Sequence, residues 1–159
     1  MTLLEIRNNF NLTQAVAANS VCVPLRTYIR YEDDDSYGSP LKRESMIEKL
    51  LDKYEITEDK GILSIETIKN ELTKLFENEY KNQIEFCYLF GSYAKGYAKE
   101  SSDVDLCIST SLTGLRFVGL SESIRNSLHK KVDLIRFDTL ENNLELVNEI
   151  MKDGIKIYG

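Results

Sequence analysis

Histidine and cysteine, the residues of zinc sites and disulfide frameworks, are scarce: His129 stands alone, and the cysteines are Cys22, Cys87 and Cys107. An odd, scattered set with no Cys-x-x-Cys pair excludes both a disulfide framework and a zinc site. Cys87 and Cys107 lie inside apolar runs, where cysteine acts as a small core residue. Long hydrophobic runs are also missing, so nothing approaches the roughly 20 residues that cross a bilayer. The start Met1-Thr2-Leu3-Leu4-Glu5 lacks the basic residues of a signal peptide. The expected location is the cytoplasm, with no membrane partner. An excess of basic charge is lacking too, since 20 Lys and Arg against 26 Asp and Glu leave −6. That excludes a protein coating nucleic acid through bulk charge, while leaving room for a local basic face.

What is present fits a globular chain, with 42% hydrophobic and 29% charged residues. A chain of 159 residues holds one ordinary core or two small ones. Up to about residue 59 the pattern is helical and divided by turns. Leu3, Leu4, Ile6, Arg7 and Phe10 fit a short amphipathic helix, and Asn11 can cap a second over 12–19. Residues 20–23 form the turn, and Pro24 suits the first turn of a third helix through Glu32. The acidic, turn-rich stretch 33–40 reads as a loop. Leu41, Ile47, Leu50, Leu51 and Tyr54 then recur at helical spacing. Residues 55–61 are the candidate junction, which sets two domains at 1–61 and 62–159.

Beyond Gly61 helix and strand alternate. Ser64 can cap a helix carrying Ile65, Ile68, Leu72, Leu75 and Phe76, and 84–90 is short, aromatic and stopped by Gly91. Residues 104–108 and 132–137 read as further strands around an amphipathic helix from Leu115 to Leu128. A last helix holds Leu140, Leu144, Leu146, Val147 and Ile150. The fold class is therefore α+β in two domains, an all-α N-terminal bundle followed by an α/β domain with a small sheet.

The chemistry concentrates between Phe90 and Leu106. A strand ends in Gly91-Ser92, and ten residues later comes Asp103-Val104-Asp105 on the next strand. Glycine at 91 lets backbone approach a phosphate and permits a sharp exit from the strand. Ser92 begins a helix whose free N–H groups favour anions. Alternation on a strand sends both aspartates to one face, where two hard oxygen ligands converge on one cation, an arrangement suited to magnesium. Asp133, near the start of the next strand, completes a two-metal site or takes the proton of an incoming hydroxyl. Three gathered carboxylates would repel one another unless a divalent cation offset the charge. Asp-x-Asp alone is an ordinary surface pair, and it is the combination that carries weight. Lys95 and Lys99 are within reach of phosphates, and Tyr93 and Tyr97 lie close enough in sequence for self-modification to be considered.

Residues 64–159 resemble the minimal nucleotidyltransferases of the DNA polymerase β superfamily, through Gly91-Ser92, the ten-residue interval, Asp103-x-Asp105, the later acid Asp133 and the basic residue Lys95. The resemblance implies a nucleotidyltransferase fold with a small mixed sheet. It also implies that Gly91, Ser92 and Lys95 bind nucleotide, that Asp103 and Asp105 hold magnesium, and that Asp133 assists metal and nucleophile. Small members resemble antitoxins paired with HEPN-type ribonuclease toxins, which implies AMP transfer from ATP to a tyrosine hydroxyl of that toxin. Residues 1–60 resemble the XRE (Cro/C1-type) helix-turn-helix family through Leu12-Thr13-Gln14, Ala18, Val23, Thr27 and Arg30-Tyr31-Glu32. That likeness implies that Arg26, Thr27, Tyr28 and Arg30 face operator DNA, with a homo-oligomer spanning paired half-sites and repressing the protein's own operon. Cys22 stands where a turn glycine is usual. The alternatives are a non-catalytic antitoxin acting by contact with toxin or DNA, and nucleotide transfer to a small molecule or a tRNA.

Overall fold

A computed structural model describes all residues, 1–159. They form two compact units, Met1–Glu55 and Ile56–Gly159. The first contains α1 (Leu3–Asn9), α2 (Gln14–Ser20), α3 (Leu25–Asp33) and α4 (Pro40–Tyr54). A capping box opens α1: the Thr2 hydroxyl accepts from the Glu5 N–H while the Glu5 carboxylate accepts from the Thr2 N–H. Two donors that a helix start leaves unpaired are thereby satisfied. The cap of α2 is Thr13, which accepts from the Val16 N–H, and not Asn11. Asn11 instead takes φ 51° in the preceding turn, a left-handed conformation that asparagine tolerates. Pro24 takes the cap position just before α3, one residue short of its expected place in the first turn, and the turn before it holds Cys22 at φ 59°.

The apolar faces of these helices meet in a core that includes Leu3, Ile6, Ala17, Tyr28, Met46 and Leu50. Tyr28 is 0% exposed, which corrects its expected place on a DNA-facing surface. Its position in α3 faces the core, so the helix presents Arg26 and Arg30 to solvent and half-buries Thr27. Burial, and then the charge of Glu32, push the Tyr28 phenol above its ordinary range. Glu32 is the one buried carboxylate of this unit. It accepts from Arg7 Nε at 2.7 Å, Arg7 Nη2 at 3.0 Å and Gln14 Nε2 at 2.9 Å. Burial acts to raise its pKa, but the hydrogen bonds from Arg7 and Gln14 prevail and hold it below the usual carboxylate value. The Arg7–Glu32 pair thus ties α1 to α3, and the Gln14 amide adds α2.

The second unit runs α5 (Ile65–Glu79), β1 (Ile84–Phe90), α6 (Gly91–Lys95), β2 (Val104–Thr110), α7 (Gly114–Leu128), β3 (Val132–Arg136), a 3-10 turn (Phe137–Leu140), α8 (Leu144–Asp153) and β4 (Ile155–Tyr158). Ser64 caps α5 by accepting from the Thr67 N–H. The sheet order is β3-β2-β1-β4, with β2 and β3 parallel and the other pairs antiparallel. Strand alternation sorts the side chains. Cys87, Leu89, Val104, Leu106 and Ile108 join Ile68, Leu72 and Phe76 of α5 and Leu120 and Ile124 of α7 in one core. Phe90 and Cys107 go to the other face, under Leu140 and the half-buried Leu146, Val147 and Ile150 of α8. Cys87 and Cys107 are buried free thiols, as their apolar surroundings suggest. No helix is long and apolar enough to cross a membrane.

Removing one partner of a buried ion pair leaves the other charge stranded, at a cost of about 3 kcal/mol or more. Arg7→Met is therefore expected to lower the unfolding free energy of the first unit by about 3 kcal/mol in urea titrations, and adding Glu32→Leu should recover much of that loss.

Candidate active site

The same alternation that builds the core also delivers the acids. With Leu106 and Val104 in the α5/α7 core and Cys107 beneath α8, Asp105 stands on the α8 face. Asp103, two residues earlier, follows it to that side. Parallel register pairs Asp105 with Asp133 on β3 and Val104 with Val132. Neighbouring strands lie about 4.8 Å apart, so two carboxylates in register are close neighbours. Antiparallel register sets Phe90, the last residue of β1, across from Asp105. Gly91 follows at φ 70°, and a Cβ there would overlap the Asp105 carboxylate. Glycine is required twice over, by backbone conformation and by the acid that packs on it. Ser92 is half-buried in the first turn of α6.

Electrostatics records the crowding. The Asp105 carboxyl is pushed up to about 6, first by burial and then by the charges of Asp133, Asp103 and Glu149. Glu149 was not singled out by sequence. It lies on α8, and its only signal was an acid four residues after Glu145 in a helix expected to pack on the sheet. It accepts from Lys95 Nζ at 2.7 Å, bridging α8 to the end of α6. The Lys95 ammonium is accordingly held above its ordinary pKa, chiefly by that hydrogen bond. Lys99 is exposed, and its backbone N–H donates to Ser102 Oγ at 2.8 Å within the loop that leads to Asp103. Tyr93 is buried, whereas Tyr97 is 63% exposed.

Gly91, Ser92, Lys95, Asp103, Asp105 and Asp133 thus gather on one side of the sheet, and Arg26, Thr27, Tyr28 and Arg30 belong to the other unit. As the side chains stand, no group of three or more His, Cys, Asp or Glu is disposed to hold a metal ion. Asp133 is exposed near the start of β3. The donor chemistry nevertheless fits magnesium, which takes one or two carboxylates and fills its shell with water and substrate phosphate. An aspartate raised to about 6 by burial and then by its neighbours' charge is a group that a cation would return to its ionised form.

The class is a nucleotidyltransferase. The profile "Polymerase beta, Nucleotidyltransferase" matches residues 70–159, and the chain belongs to that family. More particularly, it is 36% identical over 78 residues to the "Putative protein adenylyltransferase MJ1215" of Methanocaldococcus jannaschii, a match covering 48% of this chain and 88% of the relative. Among solved structures it is similar to a chain of a toxin–antitoxin crystallised with AMP-PNP, with 24% identity, TM-score 0.49, and coverage of 57% of this chain and 73% of that one. It is also similar to a chain of the tri-AMPylated Shewanella oneidensis HEPN toxin in complex with MNT antitoxin, with 21% identity, TM-score 0.46, and coverage of 60% and 72%. Likenesses at those levels assign no activity.

A carboxyl raised from 3.8 to about 6 binds its proton more tightly in the folded chain, so its ionisation costs stability as pH rises through that window. Without divalent metal, Asp105→Asn is expected to be more stable than the parent by about 1–2 kcal/mol at pH 8. The difference should vanish near pH 4, where the parent carboxyl is protonated in the folded state. Thermal melts across that range measure it.

Proposed function

We propose that the chain transfers AMP from ATP to a tyrosine hydroxyl of a HEPN-type toxin, with magnesium, and so acts as an antitoxin. The observation that carries this reading is Asp105, half-buried, in register with Asp133 and pressed against Gly91. Such mutual repulsion suits a site whose other half is a cation and a nucleotide. Family membership supports nucleotidyl transfer, and the archaeal relative supports a protein as acceptor. The toxin as acceptor follows from the resemblance of Gly91-Ser92, Asp103-x-Asp105 and Asp133 to the small antitoxin nucleotidyltransferases.

Asp103 and Asp105 would hold magnesium, which when bound supplies neutralisation of the charge that develops on the phosphates. Gly91 admits the triphosphate close to backbone, and Ser92 contributes a hydroxyl beside it. Lys95 shares its charge with Glu149 until a phosphate competes for it. Asp133 accepts the tyrosine proton as the phenolic oxygen bonds to the α-phosphorus. The bond from that phosphorus to the bridging oxygen breaks, and pyrophosphate leaves. Most of the rate comes from holding the two reactants in line.

The N-terminal unit supports a second role. Arg26 and Arg30, four residues apart on one exposed face of α3, follow a turn in which Cys22 takes the left-handed conformation otherwise left to glycine. We infer that this face meets operator DNA when the protein oligomerises.

Incubation with ATP labelled at the α-phosphate, magnesium and the product of the adjacent reading frame should label that product. Asp103→Asn and Asp105→Asn should each reduce labelling by about 100-fold or more. Variants that transfer nothing yet neutralise the toxin as well as the parent does would make contact the mechanism. For the second role, Arg26→Ala with Arg30→Ala should weaken binding to the operon's own promoter about tenfold in gel-shift assays. Unchanged affinity removes α3 from the interface.

A further inference from the structure

Lys130 is 0% exposed, an unusual state for a lysine. Its ammonium has no carboxylate partner among its hydrogen bonds and donates instead to three main-chain carbonyls: Glu100 at 2.5 Å, Lys60 at 3.1 Å and Glu58 at 3.3 Å. Burial lowers its pKa, and the nearby Glu100, Asp59 and Glu58 act against that. Three short connections converge here. Glu100 lies in the loop between α6 and β2, three residues before Asp103. Lys130 itself lies between α7 and β3, three residues before Asp133. Lys60 belongs to the turn that closes through the Thr57–Lys60 bridge. Two further bonds join the same segments. The Val104 N–H donates to the Lys131 carbonyl at 2.9 Å, and the Gly61 N–H donates to Glu100 Oε1 at 3.2 Å.

We infer that Lys130 is a positioning residue for the acidic site, a single buried cation that clamps the approach to Asp103 against the approach to Asp133 and so fixes the spacing of those carboxylates. This rests on the reading of the acids as the metal-and-nucleotide site. The physical case is that the loop 96–103 carries little apolar burial of its own, with Ala98 half-buried and most of its neighbours exposed. Such a loop moves unless polar anchors hold it. A charged donor to neutral carbonyls makes hydrogen bonds stronger than neutral pairs. In a core-like setting, deleting it leaves the Glu58 and Glu100 carbonyls unpaired, while the Lys60 carbonyl keeps the Thr57 N–H. Glu58, Asp59 and Lys60 are thereby recruited as structural support for a catalytic loop distant from them in sequence.

The test compares the parent, Lys130→Met and Lys130→Gln by two measurements on the full chain. One is hydrogen exchange of the amides of residues 97–103 without metal. The other is binding of manganese with a non-hydrolysable ATP analogue, followed by the paramagnetic effect on water relaxation. Lys130→Met should speed exchange in that loop at least about tenfold while β1 and α5 amides stay protected, and should weaken manganese binding about tenfold. Lys130→Gln, which retains a neutral amide donor group, should fall between. In an Asp103→Asn background Lys130→Met should cost no further manganese affinity, because the two act through one ligand. Parent-like loop exchange and metal affinity in Lys130→Met overturn the proposal, as does an undiminished loss in the Asp103→Asn background. If both variants fail to fold, the parent decides: its Lys99 and Ser102 amides must exchange at least about tenfold slower than in a free chain, and an unprotected loop refutes the clamp. Manganese affinity unaffected by Asp103→Asn and Asp105→Asn would instead defeat the reading of the acids, while the exchange result would still judge Lys130.

Discussion

Like charge held together against its own repulsion is the constraint on which the second unit turns. Asp105 cannot move away from Asp133 without breaking the parallel register of β2 and β3. Nor can it move toward β1, where the Gly91 backbone already occupies the space. The sheet therefore imposes a carboxyl whose ionisation, through burial and neighbouring charge, costs more than an ordinary aspartate's. Stability alone gives no reason to keep such a residue, because asparagine or threonine would fill the position without that cost. A divalent cation arriving with a nucleotide turns the cost into binding energy. This is why Asp105, among the 26 acidic residues, carries the functional argument.

The surrounding elements make sense from that starting point. Strand alternation assigns the apolar half of β2 to the α5/α7 core and leaves the α8 side for chemistry. Glycine at the end of β1 lets α6 start close to the acid, so that Lys95 comes within reach of Glu149 on α8. Lysine and glutamate there neutralise each other at the margin of a site that would otherwise be more negative still. Lys130 and the three carbonyls it gathers supply the rigidity that the loop preceding Asp103 lacks. The first unit holds together by different means, with Glu32 buried and paired to Arg7 and Gln14 across three short helices.

Much of this was legible in the sequence because strong local rules agree. The apolar run 84–90 closed by glycine, the capping serine at 64, and the Asp-x-Asp on an alternating strand each have one natural reading. What escaped notice depends on long-range pairing. β4 is only four residues, Ile-Lys-Ile-Tyr, and is stabilised by its register with β1, with Leu89 opposite Ile155. Glu149 and Lys130 look like solvated surface charges in a linear reading, and only the packing of α8 and the closure of the 57–60 turn give them partners. Asn11 satisfied the composition rule for a helix cap, but Thr13 took the role, because the chain first makes a left-handed turn at 11. Tyr28 fell in a helix whose exposed face was assigned by family likeness, whereas the helical period sends it inward.

Titration of the Asp105 side-chain carboxyl by carbon NMR, first without metal and then with magnesium and a non-hydrolysable ATP analogue, reads most directly whether this carboxylate is built for a cation. A midpoint near 6 is expected in the metal-free protein. Magnesium with nucleotide should move that midpoint below the ordinary aspartate value of about 3.9. A midpoint that stays put when both are added would contradict the view that these carboxylates are built around a cation and a nucleotide.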